Sequence, residues 1–375
     1  MTDYDWLIIG GGPHGRFAAR AIAHAAPDSR LAVIDPAPAL AAWRRRAAAC
    51  DMRYLRSSNA HHLGARADSL RRFSDAHGYD ARHALGYYRR PSRALFEAHA
   101  EATLGRLPQI TARALDVAPG DTDWQVATDD GARRRAARVV LATGPGRPYR
   151  PPGLDDAEHV FDPDFDLGEP GAATVVIGGG ITGAQLALRA MRAGHRVCWL
   201  TRAPPRASDF DAEPCYAGPR CMTPFVATPT AERTALLAEA RRPGTLPPDV
   251  HADITAALAA GSLTWRRGTA VARDDDAVLL ADGRRLAAER VILATGFASA
   301  PTPDSVLARV VQRLALVDDG AGHLALDSML QAAPGLHVIG RPASLVLGPM
   351  AGNIKGARTA GQRLARVATG APAAA

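Results

Sequence analysis

The sequence predicts an α/β protein made of two related halves. Each half begins with a short apolar strand, continues through a glycine-rich turn into an alanine-rich helix, and returns to a second apolar strand. This order occurs over residues 5–36 and again over residues 173–202. Short, wholly apolar strands are typical of a parallel sheet whose two faces are covered by helices. The repetition therefore predicts two parallel sheets, one in each half of the chain.

Composition and length indicate an ordinary globular protein. The 375 residues suffice for about two domains, and contents of 47% hydrophobic and 22% charged residues match globular averages. No run reaches about 18 uncharged apolar residues, so the sequence predicts no membrane-spanning helix. The acidic first residues lead directly into a strand, which leaves no visible signal peptide. We therefore expect a cytoplasmic protein without a membrane partner.

The spacing of cysteines and histidines gives no sign of a metal or redox motif. The four cysteines (Cys50, Cys198, Cys215 and Cys221) include no C-x-x-C pair, so neither a redox-active disulfide of the usual spacing nor a zinc knuckle is predicted. The histidines of residues 43–110 have no carboxylate or cysteine at ligand spacing. We predict no metal site and expect these histidines in the core or on the surface.

The net charge of +7 raises the question of nucleic-acid binding. Lys355 is the only lysine among 45 basic residues, the arginines are scattered among alanines, and aromatic residues make up only 5%. Few rings are therefore available to stack on bases. The composition argues against a nucleic-acid partner, and the positive field favours anionic cofactors and substrates.

The first glycine turn fits a dinucleotide-binding fingerprint. Gly10, Gly12 and Gly15 lie between a strand and a helix, and Asp35 ends the next strand about 20 residues later. The first glycine permits the turn, the second lets a pyrophosphate approach the backbone, and the third lets the helix pack on the strand. Asp35 is placed to accept hydrogen bonds from ribose hydroxyls. This pattern predicts an FAD site, in which we expect His14 to have a structural role rather than one in proton transfer.

The second glycine turn differs at the corresponding strand end. Gly178, Gly180 and Gly183 repeat the pattern, but Arg202 stands where the first half has a carboxylate. A carboxylate would repel a 2′-phosphate, whereas an arginine binds one through two parallel hydrogen bonds. This half is therefore predicted to bind NADPH. The alternative is that Arg202 is one of many surface arginines.

Two Ala-Thr-Gly tripeptides complete the pattern. Residues 142–144 and 294–296 each follow an apolar strand, and the proline-rich segment 145–152 links the two halves. This order of motifs predicts two Rossmann-like dinucleotide-binding domains with a helical insert. We place the FAD-binding domain at residues 1–150 and 300–375, with the insert at about 43–110. The NADPH-binding domain is placed at residues 165–297.

Together these motifs resemble the two-dinucleotide-binding-domain flavoproteins over nearly the whole chain. Within that group the sequence is most similar to the flavin-dependent N-hydroxylating monooxygenases of the lysine/ornithine N-hydroxylase type. The narrower resemblance depends on residues 293–301, which are similar to the A-T-G-[YF]-x(n)-P signature, on residues 52–56 and 90–96 at the substrate side, and on residues 209–241 beyond the NADPH strand. The first turn, G-G-G-P-H-G, departs from the G-x-G-P-x-N/S form of that family.

The resemblance implies that the insert covers the flavin and shapes a substrate pocket. Arg56 stands roughly where the family has a lysine and would hold a carboxylate or another anion, while Tyr87 and Tyr88 would wall the pocket. The alternative is a solvated Arg56 with tyrosines that only pack. Residues 340–358 resemble the flavin-covering end of reductases, where a helix N-terminus stabilises the reduced ring. The alternative there is a helix cap without a ligand.

No catalytic side chain is predicted, because the cofactors FAD and NADPH would supply the chemistry. The predicted cofactor-binding residues belong to the two fingerprints, the two tripeptides, the segment after Asp35 and the C-terminal stretch: Gly10, Gly12, Pro13, His14, Gly15, Asp35, Pro36, Trp43, Thr143, Gly144, Gly178, Gly180, Thr182, Gly183, Arg202, Thr295, Gly296, Gly340, Arg341, Pro349, Met350 and Asn353.

The predicted function is that of an FAD-dependent, NADPH-consuming monooxygenase that hydroxylates a nucleophilic heteroatom of a small molecule, nitrogen in the first place. NADPH would reduce FAD, and O₂ would then form a flavin C4a-hydroperoxide. Two alternatives remain open: an NAD(P)H-dependent flavin oxidoreductase or dehydrogenase without oxygenation, and a non-catalytic redox-sensing module that binds nucleotides. The expected partners are a small-molecule substrate and O₂, and assembly into a homo-oligomer is left open.

Overall fold

The computed structural model describes residues 2–371. It has two large sheets, of which the first is mainly parallel and the second is wholly parallel. The strands are β1 (Tyr4–Ile9), β2 (Leu31–Ile34), β3 (Ala84–Leu85), β4 (Arg90–Pro91), β5 (Gln109–Ile110), β6 (Ala114–Pro119), β7 (Trp124–Thr128), β8 (Arg133–Leu141), β9 (Glu158–His159), β10 (Ala173–Ile177), β11 (Arg196–Thr201), β12 (Arg206–Ala207), β13 (Thr245–Leu246), β14 (Thr264–Arg267), β15 (Ala270–Arg273), β16 (Ala277–Leu280), β17 (Arg285–Ala287), β18 (Arg290–Leu293), β19 (Gln331–Ala333) and β20 (Leu336–Val338).

The helices cover the faces of these sheets and build the insert. They are α1 (Pro13–Ala25), α2 (Ala41–Ala49), α3 (Ser69–Ala76), α4 (Arg93–Leu104), α5 (Ile181–Arg192), α6 (Pro219–Ala227), α7 (Thr230–Ala240), α8 (Pro248–Ala259), α9 (Val306–Arg313), α10 (Ser344–Leu347) and α11 (Ile354–Ala368). Among the described residues, none of these helices combines the length and the apolar character needed to cross a membrane.

The first large sheet joins segments from both ends of the chain. Its strands follow the order β19-β20-β8-β1-β2-β5, and the antiparallel pair β6 and β7 extends it from β8. Ile8 in β1 lies in parallel register with Val33 on one side and Val140 on the other. Residues 6–9, 31–34 and 139–141 of these strands are apolar and buried, because α1 and α11 cover one face and α9 packs on the other.

The second large sheet is entirely parallel, in the order β14-β11-β10-β18-β9. Helices α5 and α8 pack on one face, and the antiparallel strands β15 to β17 contribute to the core on the other. The central strand β10 is followed by a glycine turn and α5, as β1 is followed by a glycine turn and α1. The predicted α/β class with two Rossmann-like halves is confirmed.

The insert between β2 and β5 contacts both halves. It contains α2, α3, α4 and the short hairpin β3–β4, and Phe96 of α4 belongs to an apolar cluster with Phe17 of α1. On its other side Arg90 forms an ion pair with Asp249 at the start of α8. The Arg90 side chain is only 3% exposed, so this charge depends on its partner.

The chain crosses between the halves twice, and the two crossings lie side by side. The N–H of Tyr149 donates to the carbonyl oxygen of Gly296 at 2.9 Å, and the N–H of Ala298 donates to that of Arg147 at 3.1 Å. The result is a short antiparallel ladder between the connecting segments. This ladder and the insert connect the two halves.

Candidate functional site

The first glycine turn leaves no room for a side chain at two of its three fingerprint positions. A Cβ on Gly10, whose φ is +114°, would lie 2.3 Å from the carbonyl oxygen of Ala142, and one on Gly15 would lie 1.9 Å from that of Gly10. A Cβ on Gly12 would meet no atom within 4 Å. Gly12 is the N-cap of α1, so this open space lies against the free N–H groups of a helix start. A pyrophosphate fits such a cradle.

Asp35 lies beside this turn at the end of β2. Its Oδ2 accepts a hydrogen bond from the N–H of Gly11 at 2.6 Å, and its Oδ1 accepts one from Ala37 at 2.8 Å. A carboxylate offers about four acceptor sites, so the carboxylate is oriented by the turn and can still accept from ribose hydroxyls. The next residue, Pro36, is exposed.

His14 connects the first turn to the C-terminal segment. Its Nε2 lies 2.9 Å from the carbonyl oxygen of Ala351, just before α11. Burial lowers the pKa of His14, so the neutral ring is favoured and Nε2–H donates this hydrogen bond. The contact gives His14 a structural role, and its contact with a cofactor stays a prediction.

The second glycine turn repeats the geometry of the first. A Cβ on Gly178 would lie 2.3 Å from the carbonyl oxygen of Ala294, and one on Gly183 would lie 2.0 Å from that of Gly178. A Cβ on Gly180, the N-cap of α5, would again meet no atom within 4 Å. Thr182 follows in the first turn of α5, where its N–H is one of the free donors.

The strand end next to the second turn is positively charged. Arg202 follows β11 and is exposed. Arg267, also exposed, lies in register with Thr201 on the neighbouring strand β14, and its Nε donates to the carbonyl oxygen of Arg202 at 3.3 Å. Two arginines from adjacent strands therefore lie where the first half has Asp35.

The predicted tripeptides lie at the two crossings. Thr295 donates through Oγ1 to the carbonyl oxygen of Tyr149, and Gly296 accepts from the N–H of the same residue. Thr143 and Gly144 line an open cleft together with Arg341. The structure thus brings the first tripeptide next to the C-terminal segment.

Arg341 has an unused donor at this cleft. It follows Gly340, whose φ is +86°, and its Nη2 donates to Oγ of Ser299 at 3.3 Å. Its Nε is buried and has no acceptor among the described residues. Partial burial lowers the pKa of this guanidinium. A phosphate oxygen of a bound dinucleotide would satisfy such a donor.

The segment before α11 lies next to the first glycine turn, to which the hydrogen bond between Ala351 and His14 ties it. Pro349 and Met350 are buried, and Asn353 is the N-cap of α11. The Asn353 side chain does not cap the helix, because its Nδ2 donates instead to Oδ1 of Asp211 at 3.1 Å. The N–H groups at the start of α11 therefore lack a side-chain acceptor and can face a negatively polarised group.

Arg56 bridges the insert to the loop beyond β11. Its guanidinium donates to the carbonyl oxygens of Ser208 at 2.8 Å, Asp209 at 3.2 Å, Phe210 at 2.9 Å and Thr245 at 2.9 Å, and to Oγ1 of Thr245 at 2.7 Å. Burial lowers its pKa to about 10, which leaves it charged at neutral pH. Arg56 is therefore not a solvated surface residue. It positions the loop, and its predicted contact with a substrate anion stays a prediction.

The two predicted tyrosines have different surroundings. Tyr87 is 92% exposed in the turn between β3 and β4. The ring of Tyr88 lies 4.6 Å from the ring of Phe210, in the loop that Arg56 holds. Trp43 lies within the insert, 5.1 Å from the ring of Phe96. Of the two tyrosines, Tyr88 is the one that contacts the loop containing Phe210.

The sequence analysis missed two residues beside Asp35. Gln109 of β5 donates through its amide to the carbonyl oxygens of Asp35 at 3.1 Å and Ala37 at 2.9 Å. Arg16 of α1 is buried, donates to Oε1 of Gln109 and keeps its Nε without an acceptor among residues 2–371. No local motif marks Gln109, because 74 residues separate it from Asp35.

A disulfide between Cys215 and Cys221 was not predicted either, because the two cysteines are 6 residues apart and do not form a C-x-x-C pair. The other two cysteines are free, Cys50 being buried and Cys198 partly buried. Over the part of the chain that the structure describes, no three His, Cys, Asp or Glu side chains are grouped as ligands for a metal ion.

Two glycine turns of one geometry, each between a parallel strand and a helix, define a protein with two dinucleotide-binding halves. The family model described as pyridine nucleotide-disulphide oxidoreductase matches residues 4–360. The chain belongs to this family of flavin-dependent oxidoreductases. A search of curated protein sequences gave no match.

Solved structures with the same fold include oxygenases and reductases. Ornithine N-hydroxylase from Kutzneria sp. 744, a complex with reduced FAD, NADP⁺ and L-ornithine, has a TM-score of 0.78 at 17% identity and covers 98% of this chain and 99% of its own. The flavin-containing monooxygenase from Stenotrophomonas maltophilia has a TM-score of 0.64 at 19% identity, with 99% of each chain covered. Bacillithiol disulfide reductase from Bacillus cereus has a TM-score of 0.63 at 18% identity, with 98% of this chain and 99% of its own covered. This likeness confirms the two-domain flavoprotein fold and leaves the reaction open.

Proposed function

We propose that the protein is an FAD-dependent, NADPH-consuming monooxygenase that hydroxylates a nucleophilic heteroatom of a small molecule, nitrogen in the first place. The observation on which this depends is the pair of glycine turns, identical in geometry, of which the first adjoins a carboxylate and the second adjoins two arginines. The TM-score of 0.78 to the ornithine N-hydroxylase supports a reaction of the N-hydroxylase type, whereas the flavin-containing monooxygenase, at 0.64, does not differ from the disulfide reductase, at 0.63.

In this proposal residues 1–150 and 300–375 bind FAD, although residue 1 and residues 372–375 lie outside the described part of the chain. The N–H groups beyond Gly12 would hold the pyrophosphate, and Asp35 would accept from the ribose. The Nε of Arg341 would donate to a phosphate oxygen, and the start of α11 would face the flavin ring. The orphaned Arg341 donor and the open side of Gly12 are the features that fit this cofactor.

Residues 165–297 would bind NADPH in the same way at the second turn. The open side of Gly180 would receive its pyrophosphate, and Arg202 with Arg267 would bind the 2′-phosphate. The insert at residues 43–110 would cover the site from the other side. Tyr88 and the loop at residues 208–211 are the parts nearest to a substrate pocket in this arrangement.

The bound flavin would supply hydride acceptance from NADPH and the activation of O₂. The protein's own residues would orient the two dinucleotides and keep water out of the cleft, which protects the reactive intermediate from decay. Arg56 would hold the loop at residues 208–211. No side chain of the chain is assigned a proton-transfer step.

The test begins with the purified protein, which is expected to be yellow and to lose its colour when NADPH is added without O₂. A panel of small primary amines is then screened for faster NADPH oxidation in air, with the hydroxylated product and hydrogen peroxide measured together. Product formation matched to NADPH consumption supports the proposal. Peroxide without product for every amine would contradict it.

The alternative is an NAD(P)H-dependent flavin oxidoreductase without oxygenation, which the fold shared with a disulfide reductase supports. The same assay distinguishes the two, because a reductase passes electrons to an added acceptor and makes no oxygenated product. Colour that persists after NADPH addition would instead favour a nucleotide-binding module without turnover.

A further inference from the structure

The Cys215–Cys221 disulfide closes a small ring in the segment that follows β12. Cys215 lies in the short 3₁₀ helix Pro214–Ala217, and Cys221 lies in the first turn of α6. Few main-chain hydrogen bonds lie within the ring. In one of them the N–H of Gly218 donates to the carbonyl oxygen of Cys215 at 3.2 Å. Both cysteines are partly exposed, so an external thiol can reach them.

This ring packs against the segment before α11. A Cβ on Gly348 would lie 2.7 Å from Sδ of Met222 and 3.8 Å from Cδ1 of Tyr216. Tyr216 directly follows Cys215, and Met222 directly follows Cys221. The disulfide thus ties together the two side chains that cover Gly348, and both belong to one apolar cluster with Phe225 and Leu345.

We propose that Cys215 and Cys221 form a reversible thiol–disulfide exchange site that reacts with an external dithiol, and that its redox state sets how firmly residues 214–227 cover residues 348–350. One sulfur of the dithiol attacks the Cys215–Cys221 bond, and its second sulfur then displaces the mixed disulfide. The protein gains two electrons and two protons as two thiols. The dithiol loses the same and becomes a disulfide.

The remaining cysteines do not compete for this exchange. Burial raises the pKa of the Cys50 thiol to about 12, and burial also raises the pKa of Cys198. The thiolate is the reactive form, so both side chains stay unreactive near neutral pH. The exchange is therefore confined to one pair, which opens or closes as a unit.

The exchange site itself does not depend on the proposed function, but its effect on a flavin does. Opening the ring frees Tyr216 and Met222 to move apart, which loosens their packing on Gly348 and with it the position of Pro349 and Met350, the next two residues. In the proposed function these residues adjoin the flavin. Reduction of the disulfide would then expose the flavin to solvent and raise the share of NADPH that ends as hydrogen peroxide.

The first measurement counts thiols in the full-length protein after rapid denaturation. The air-oxidised protein is expected to give two thiols, from Cys50 and Cys198, and the protein treated with dithiothreitol is expected to give four. NADPH without dithiol is expected to leave the count at two. Four thiols in the air-oxidised protein, or four after NADPH alone, would overturn the assignment.

The second measurement is amide hydrogen exchange over residues 214–227 and 344–352, with and without dithiothreitol. Reduction is expected to speed exchange in both segments, and the Cys215→Ser/Cys221→Ser variant is expected to match the reduced protein and ignore dithiothreitol. Cys198→Ser is the matched control and should respond as the parent does. If reduction leaves amide hydrogen exchange unchanged in both segments, the proposal that the disulfide controls the packing of residues 214–227 on residues 348–350 is wrong. Because thiols and amides are measured without turnover, failure here is distinct from failure of the proposed function.

Discussion

At Gly12 a methyl group has room within the protein but none beside a bound pyrophosphate. The φ of Gly12 is −73°, which alanine adopts without strain, and a Cβ there meets no protein atom within 4 Å. We therefore expect Gly12→Ala to purify with much less FAD and, when both proteins are compared without FAD, to have the melting temperature of the parent, because bound FAD itself stabilises the fold. Flavin absorbance per protein and a thermal melt measure the two effects.

Gly15→Ala is the matched control for this variant. Its Cβ would lie 1.9 Å from the carbonyl oxygen of Gly10, so the helix and the strand must move apart. We expect a lower melting temperature as well as flavin loss. Full flavin content in Gly12→Ala would contradict the FAD assignment, and an equal loss of stability in both variants would show that Gly12 is only structural.

Arg202 is expected to select NADPH over NADH. A charge-assisted hydrogen bond contributes about 1.5–3 kcal/mol, or roughly ten- to a hundredfold in affinity. Arg202→Ala should therefore raise KM for NADPH and leave KM for NADH nearly unchanged, and Arg267→Ala should act in the same direction. Arg266→Ala is the control, since residue 266 points to the opposite face of β14. Equal effects on both nucleotides would show that Arg202 does not meet the 2′-phosphate.

The residues that sequence reasoning found share a local signal, and those that it missed have none. Gly10 and Gly15 are marked by their spacing within a strand, a turn and a helix, and the structure shows backbone contacts that require glycine there. Gln109 reaches Asp35 only because β5 pairs with β2 across the insert. Such a contact depends on tertiary pairing, which a single motif does not encode.

At the scale of elements, the loop at residues 208–211 depends on the insert. Arg56 reaches it with contacts that no other residue type can make together, since a guanidinium donates five hydrogen bonds in a fixed plane. Arg56→Ala is expected to leave anaerobic reduction by NADPH normal and to shift the aerobic outcome from product to hydrogen peroxide. Stopped-flow absorbance and a peroxide assay measure the two steps.

Arg56→Lys is the conservative variant for this prediction. A lysine keeps the charge but has three donors on a point-like group, so we expect intermediate uncoupling. If the shift to peroxide required only a positive charge at residue 56, Lys would restore the parent behaviour, and the positioning role would be wrong. Slower anaerobic reduction in Arg56→Ala would place the residue on the nucleotide side instead.

Apolar runs predicted the central elements, and tertiary contacts decided the rest. The strand, helix and strand of each half are present. Helix α1 begins at Pro13, since proline suits the first helical position. The short hairpin β3–β4 and the pair β12–β13 were not predicted. Two-residue strands carry no periodicity, so only their pairing partners define them.

At the scale of the whole molecule, burial keeps several histidines neutral. His62, His99, His159 and His337 are at most 2% exposed, and burial lowers the pKa of each to about 4. His62 and His99 lie in the insert, His159 lies in the edge strand of the second sheet, and His337 lies in the first sheet. Their protonation therefore depends on the folding of both halves and the insert. The unfolded chain would restore their ordinary pKa of about 6.5.

The free energy of unfolding is therefore expected to fall as the pH is lowered from 6.5 towards 4. In this pH window the unfolded chain binds protons more tightly than the folded chain. Each of these histidines therefore lowers the free energy of unfolding by up to about 1.4 kcal/mol for every pH unit of acidification. Above about pH 6.5 the histidines are neutral in both states, and this loss is absent. His337→Phe should make the slope shallower by one such step, because it removes one titrating ring. A phenyl ring can stack on Trp6 in its place, and only the hydrogen bond from Nδ1–H to the carbonyl oxygen of Met329 is lost, since Nε2 has no partner among the described residues. Urea unfolding of both proteins at pH 7, 6 and 5 measures the slopes, and equal slopes would show that His337 is not held neutral by the fold.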